Sequence, residues 1–409
     1  LELSLGGDTE NVRVWHEGEV ILPDGENLSF SVPSSTSELV FQVEFGDFLA
    51  MAELSIVEID SDSAEIQSKT IGLVGSPALA SHHLQESRLA YALSVPGNGW
   101  YNNEKFITSF TEIFGDRFTA LQGSKYGFDV WVQDEVEFAA LSAIEHGNDL
   151  VVDSIRDRGL DDFAEDAFTE PDYVIEVLGK GWATSQDSMG NFESTPPITV
   201  DGVFYPFGRI YWGASGNLSP HKKLTKFFNN QLIQNPIEVD ISWLCVGHVD
   251  EFATFVPDSS SDKGFKLVYS DIDLGYELLD GESRDKELPL YGSGHHYDTV
   301  GDILDDNSLR ALNEDLRDDY LLPILAQYKT EFALDDGDII PIPALFEVAP
   351  GCGNYTAALI PGTANLVVDN YGDTTTLLVP DPFFRKDPND MSDDPVIADF
   401  LDRMPAGLE

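Results

Sequence analysis

Basic residues are scarce in this chain. Against 73 Asp and Glu it carries 23 Lys and Arg, a formal net charge of −50 over 409 residues. So negative a molecule is a poor partner for nucleic acid or an anionic membrane surface, and a better one for cationic substrates and metal ions. Most of these carboxylates serve a solvated acidic surface, so only clusters count as evidence of a site. Cysteine is nearly absent: Cys245 and Cys352 lie far apart in sequence, suggest neither a disulfide framework nor a zinc site, and favour a reducing compartment. No run of about 18 apolar residues is present and no charged-then-apolar leader opens the chain, so neither a transmembrane helix nor a signal peptide is expected. The first residue is Leu1 rather than methionine, as in a processed or incomplete form.

The length exceeds a single hydrophobic core and predicts one large domain plus a smaller one. Residues 1–68 read as a small, incomplete β-sandwich, with alternating strands at 12–15, 28–32 and 38–43 between Pro, Gly and Ser turns. From 69 to 409 the pattern is mixed α/β, with helices over 103–114 and 308–328 and strands at 208–212 and 266–269. Strand and helix segments recur without a clean repeat, which a propeller-like or barrel arrangement would permit. The acidic segment 273–306 contains His295 and His296 and reads as a solvated loop rather than a metal site.

Two polar segments stand out. In Val246-Gly247-His248-Val249-Asp250-Glu251-Phe252 an imidazole and a carboxylate sit two residues apart in a strand-like run. An extended strand would put His248 and Asp250 on one face and Cys245, Gly247 and Val249 on the other, so that base and anion converge. A buried pair that merely satisfies itself is the competing explanation. In Trp131-Val132-Gln133-Asp134-Glu135-Val136-Glu137-Phe138 the same alternation places Gln133, Glu135 and Glu137 on one face and Asp134 on the other. Carboxylates at alternate positions repel unless a cation lies among them, and oxygen-only ligands suit calcium; a solvated edge strand is the alternative. Asp153-Ser154-Ile155-Arg156-Asp157-Arg158-Gly159 and Asp187-Ser188-Met189-Gly190-Asn191-Phe192-Glu193 add loops able to wrap an ion.

These segments resemble, in order, the catalytic domain of the protein-arginine deiminases. The likeness runs through Trp-x-Gln-Asp-Glu-x-Glu-Phe at 131–138, Asp-Ser-x-Arg-x-Arg-Gly-Leu at 153–160, and Gly-Asn-x-Glu with a following Pro-Pro at 190–197. It continues through Tyr-Pro-x-Gly-Arg-Ile at 205–210, Trp-Leu-x-Val-Gly-His-Val-Asp-Glu-Phe at 243–252 and Asp-Ile-Ile-x-Ile-Pro-x-Leu-Phe at 338–346. The resemblance implies a five-bladed, pseudo-symmetric α/β propeller, preceded by an immunoglobulin-like β-sandwich segment. It implies calcium-dependent hydrolysis of peptidyl-arginine to peptidyl-citrulline and ammonia in the cytoplasm, on arginine-containing protein or peptide substrates, with a homodimer among the open oligomeric options. Carried over by motif position, Asp134, His248 and Asp250 would be catalytic. Trp131, Arg156 and Arg158 would bind substrate. One calcium would take Gln133, Glu137, Glu193 and the backbone oxygens of Met189 and Phe192; a second would take Glu135, Asp153, Ser154 and Asp157. Asp rather than the commoner Asn at 157 adds a negative charge to that second site. Calcium on one face of the 131–138 segment would then set Asp134 on the other. A free-guanidine hydrolase or amidinotransferase of the same superfamily is disfavoured by Arg158 and the calcium loops.

The chemistry agrees with the resemblance, because a guanidinium is planar, permanently charged and held best by carboxylates in bidentate geometry. One part is missing. The family attacks through a cysteine thiolate in a His-Cys-Gly-Thr type motif, giving a thiouronium intermediate, and no such motif occurs here. Cys245 reads as a small core residue. Cys352, in Pro350-Gly351-Cys352-Gly353-Asn354, imitates the motif but precedes segments that resemble a strand and helix upstream of the nucleophile. The expectation is therefore a truncated chain, inactive as given, whose nucleophile lies beyond Glu409. A non-catalytic, calcium-regulated arginine-binding module is the alternative.

Overall fold

The structure, a computed structural model, describes residues 1–409 except 23–27, 30–35, 37, 98–101, 143–146, 157, 180–182, 217, 289–296, 361, 388 and 409. Asp157, His295, His296 and residues 30–32 of the expected strand at 28–32 thus lie outside the described residues. Two compact units are present, Leu1–Leu79 with Ala140–Asn148, and Ala80–Ala139 with Asp149–Glu409. Among the described residues no helix is long and apolar enough to cross a membrane.

The first unit is all β. One antiparallel sheet carries Glu2–Gly7 against Met51–Ile59, with Leu3 opposite Ile56, and Met51–Ile59 against Glu65–Val74, with Leu54 opposite Ile71. A second sheet pairs Val12–His16 with Glu19–Leu22 and Gln42–Phe45. Alternation sends Leu3 and Leu5 from one sheet and Val12, Val14 and Leu22 from the other into one shared core, while Glu2 and Arg13 stay outside. The domain boundary expected at 68/69 falls inside the strand Glu65–Val74. That strand is paired along its whole length with Met51–Ile59, which carries the unit on to Leu79.

The second unit is α/β, built from small sheets joined through helices. Ala90–Ser94 and Phe118–Gln122 run parallel across the helix Glu104–Phe114, with Leu93 opposite Leu121. Ile210–Gly213 and Ile237–Val239 run parallel across Lys222–Asn230. Phe265–Asp271 and Ile339–Pro343 run parallel across a longer helical excursion. The helix expected over 308–328 is there as Asn307–Leu316 and Leu322–Glu331, joined by one wider turn at Arg317–Leu321. The apolar core includes Tyr211, Trp243, Phe252, Phe255, Tyr328, Phe332 and Phe346. Trp243 and Phe252 pack 5.7 Å apart, ring to ring, and so anchor both ends of the segment that holds His248.

Candidate active site

The two polar segments expected as strands are turns. Val132–Asp134 forms a 3-10 turn and its strand begins only at Val136; Val249–Glu251 forms another and its strand begins at Ala253. Side chains supply the cause, since carboxylates beside free amides compete with a sheet ladder. Asp129 Oδ1 accepts the Trp131 amide at 3.2 Å, and Glu251 Oε1 accepts the amides of Gly247 and His248 at 3.0 and 2.9 Å. Gly247 has φ +79°, and a Cβ there would stand 2.6 Å from Gln186 Nε2. The alternating faces therefore do not form: Gln133 is exposed, Glu135 is fully buried and Glu137 is half-buried.

The catalytic candidates nevertheless meet, around a glycine. Gly190 lies in a third tight turn, Met189–Asn191. A Cβ added to it would stand 2.7 Å from Asp250 Oδ2, 3.1 Å from His248 Nδ1 and 3.2 Å from Asp134 Oδ1. Three turns far apart in sequence thus bring Asp134, His248 and Asp250 to one point. The His248 ring is buried and its Nε2 donates to the Ser185 carbonyl at 2.8 Å. That leaves Nδ1 as the acceptor, 3.7 Å from Asp134 Oδ1. Burial holds the imidazole below its ordinary pKa, with Asp134 opposing, so the neutral base is favoured. Burial, then Glu193, Glu251 and Asp134, pushes the Asp250 carboxyl well above the carboxylate range, and its Oδ1 makes no hydrogen bond.

Arg158 lies against the same carboxylates. Its guanidinium is 3.3 Å from Asp129 Oδ2, 3.7 Å from Asp134 Oδ2 and 3.8 Å from Glu135 Oε2, and Nη2 donates to the Trp131 carbonyl at 3.2 Å. Arg156 is half-buried, donates to Ser188 Oγ and is held below its usual pKa by burial and by Arg158. The Trp131 side chain is exposed.

The candidate calcium ligands fall into two groups. Glu135 is fully buried and neither oxygen accepts a hydrogen bond; burial and Asp153 push its carboxyl up to about 8, with Arg158 opposing. Asp153 and Ser154 are buried beside it, the Ser154 amide donating to the Glu135 carbonyl at 2.7 Å and its hydroxyl to the Asp187 carbonyl at 3.0 Å. The other group is Glu137 with Glu193. Burial and Glu193 lift Glu137 well above its usual range, and burial lifts Glu193 against the pull of His83, whose Nε2 is 3.7 Å from it. Met189 and Phe192 flank the Gly190 turn, both buried. Among the described residues, which omit Asp157, no group of three or more His, Cys, Asp or Glu stands close enough to hold a metal ion.

Cys245 and Cys352, expected unpaired, are joined in a disulfide. Sequence distance misled here, because the Cys245 amide donates to the Thr356 carbonyl at 2.8 Å and the Thr356 amide to the Trp243 carbonyl at 2.8 Å, which bring the two segments side by side. Their Cα atoms are 5.8 Å apart, within disulfide reach. Neither sulfur is then a free thiolate, and the cysteines no longer argue for a reducing compartment.

The sequence assigns no site role to Gly190 or Glu251, which stand inside the motifs, nor to Ser185 or Asp129. Only Asp129 carried a readable local signal, an Asp two residues before the amide it accepts.

A sequence profile of the protein-arginine deiminase (PAD) family matches residues 65–386. Protein-arginine deiminase type-1 of Homo sapiens is 31% identical over 345 residues, covering 79% of this chain and 50% of that protein. Protein-arginine deiminase type-4 of Rattus norvegicus is 32% identical over 344 residues, covering 79% and 50%. The inactive protein-arginine deiminase type-6 of Mus musculus is 32% identical over 239 residues, covering 53% and 35%. The chain spans about half the length, 50%, of the type-1 and type-4 proteins. With a profile match over most of its length and relatives above 30% identity, the chain belongs to the protein-arginine deiminase family.

Proposed function

We propose that this chain provides the arginine-binding and acid-base parts of a calcium-dependent protein-arginine deiminase, which hydrolyses peptidyl-arginine to peptidyl-citrulline and ammonia. The observation that carries this reading is the meeting of Asp134, His248 and Asp250 at Gly190. A guanidinium seated there would have a carboxylate on either side, and its charge would draw the Asp250 carboxyl back toward its ionised form. Trp131 would wall the aliphatic stem, and Arg158, once released from Asp134, would bind the substrate backbone.

In the proposed reaction a thiol supplied by neither Cys245 nor Cys352 attacks the guanidinium carbon and gives its proton to His248 Nδ1. His248 returns that proton to the departing nitrogen as the C–N bond breaks and ammonia leaves. Water then gives a proton to His248 and attacks the thiouronium carbon; the C–S bond breaks, the sulfur takes that proton back from His248, and the added hydroxyl releases its remaining proton to solvent, where ammonia takes it up, leaving the citrulline carbonyl. With both of its thiols tied, this chain would bind arginine without turning it over.

The donor chemistry supports calcium. Two fully buried Glu135 oxygens without donors, beside Asp153 and Ser154, form an oxygen-only set suited to a hard cation; Glu137 with Glu193 forms a second, to which Gln133 and the carbonyls of Met189 and Phe192 would add. When bound, calcium would let these carboxylates ionise together and fix the turns that carry them. For the fold, we propose that the successive small sheets of the second unit belong to a five-bladed α/β propeller and that the first unit is immunoglobulin-like.

Calorimetric titration with calcium and then with an arginine peptide tests the reading. Calcium is expected to bind, the peptide to bind only afterwards, and no citrulline to appear. Absence of any calcium heat at millimolar ion would remove the calcium dependence, and equal peptide binding with and without the ion would sink the coupling.

A further inference from the structure

Phe128 holds a backbone conformation unusual for an aromatic residue. Its φ is +62°, in the left-handed region, directly after Gly127 at +62°. A Cβ-bearing aromatic is strained there where glycine would not be. Phe128 is also only partly buried, 38% exposed, so part of the residue stays open to solvent.

The turn that carries it is held firmly. The Phe128 amide donates to the Gly123 carbonyl at 2.8 Å and the Asp129 amide to the Tyr126 carbonyl at 3.1 Å. Gly159, next to Arg158, packs so closely on this turn that a Cβ there would stand 2.5 Å from the Tyr126 oxygen. The next residue, Asp129, faces Arg158 at 3.3 Å, and Arg158 in turn reaches Asp134 at 3.7 Å. Trp131, three residues on, is 57% exposed. Two exposed aromatics, Phe128 and Trp131, therefore lie within two residues of Asp129, whose carboxylate faces Arg158, and one of them sits on a strained backbone. Strain of this kind persists where it serves to aim a group.

We propose that Phe128 is a specificity residue that contacts the side chain next to the target arginine and favours an apolar neighbour there. The inference rests on the arginine-binding reading above and adds to it a substrate class, arginine flanked by apolar residues in a peptide. A free arginine offers no such neighbour, so the contact also separates peptidyl from free arginine.

The test compares two probes in calcium, acetyl-Leu-Arg-Leu-amide and acetyl-Gly-Arg-Gly-amide, titrated calorimetrically into the chain and into Phe128→Gly, Phe128→Ala and Phe128→Tyr. The wild-type chain is expected to favour the leucine peptide by about tenfold, the effect of burying one apolar side chain. Phe128→Gly and Phe128→Ala should lose that preference and keep their affinity for the glycine peptide, while Phe128→Tyr retains both. Phe128→Gly and Phe128→Ala lose the same ring, but only Phe128→Gly relieves the strain, so Phe128→Gly should melt above Phe128→Ala. A leucine preference unchanged in Phe128→Gly and Phe128→Ala overturns the inference and leaves the arginine reading standing. No binding of either peptide to the wild-type chain at millimolar concentration overturns both.

Discussion

Gly190 leaves no room for a methyl group among Asp250, His248 and Asp134, where an added Cβ would stand 2.7 to 3.2 Å from their polar atoms. Gly190→Ala must therefore displace at least one of them, and losing one charge-assisted partner of a guanidinium is worth about tenfold or more. The expected outcome, read by calorimetry, is loss of arginine-peptide affinity on that order, while far-ultraviolet circular dichroism stays that of the wild type. Glu251 sets the other residue-scale expectation. Its carboxyl is pushed up to about 7 from 4.5, by burial against the opposing pull of the His248 and Gly247 amides it accepts. The folded chain thus holds this proton more tightly than the unfolded chain. That stabilisation is complete below pH 4.5 and is lost as pH rises through about 7. Glu251→Gln keeps an oxygen for both amides but does not titrate. Its Tm, followed by calorimetry from about pH 5 to about pH 8, should fall less with rising pH than that of the wild type.

Turns, rather than strands, build the site, and this marks how far local sequence pattern could be read. The residue types were legible: an imidazole and a carboxylate two apart, and carboxylates crowded at 131–138, are too costly for an ordinary strand. Their backbone was not, because period-two reasoning takes no account of carboxylates such as Asp129 and Glu251 that capture amides the ladder would need. The meeting at Gly190 was beyond local reading altogether, since it joins positions 134, 190, 248 and 250 from separate turns. The disulfide belongs to the same class of long-range fact, with its partners 107 residues apart in sequence. The helix expected over 103–114 fared better, running Glu104–Phe114 after Asn103. Closing so long a loop constrains the unfolded chain, so Cys352→Ser should lower stability in urea by about 2–4 kcal/mol. Thiol titration of the unreduced wild-type protein should find no free sulfhydryl after unfolding; two free thiols would remove the disulfide from the account.

Over the whole molecule, the charge of −50 disfavours anionic partners before any motif is read, and a guanidinium is the kind of cation such a surface attracts. The α/β character of the second unit followed from the alternation of helical and strand patterns, and the β character of the first from its short alternating runs. The boundary between the units did not, because Glu65–Val74 is mostly exposed, an edge strand with no alternation of buried residues to mark it. In the proposed function, Asp134 and Asp250 together receive an arginine guanidinium beside His248. Titration of one arginine peptide, in calcium, into the wild-type chain, Asp134→Asn and Asp250→Asn measures that claim. Each substitution is expected to weaken binding by about tenfold or more, the effect of removing one charge-assisted partner. Equal affinity in all three proteins would contradict it.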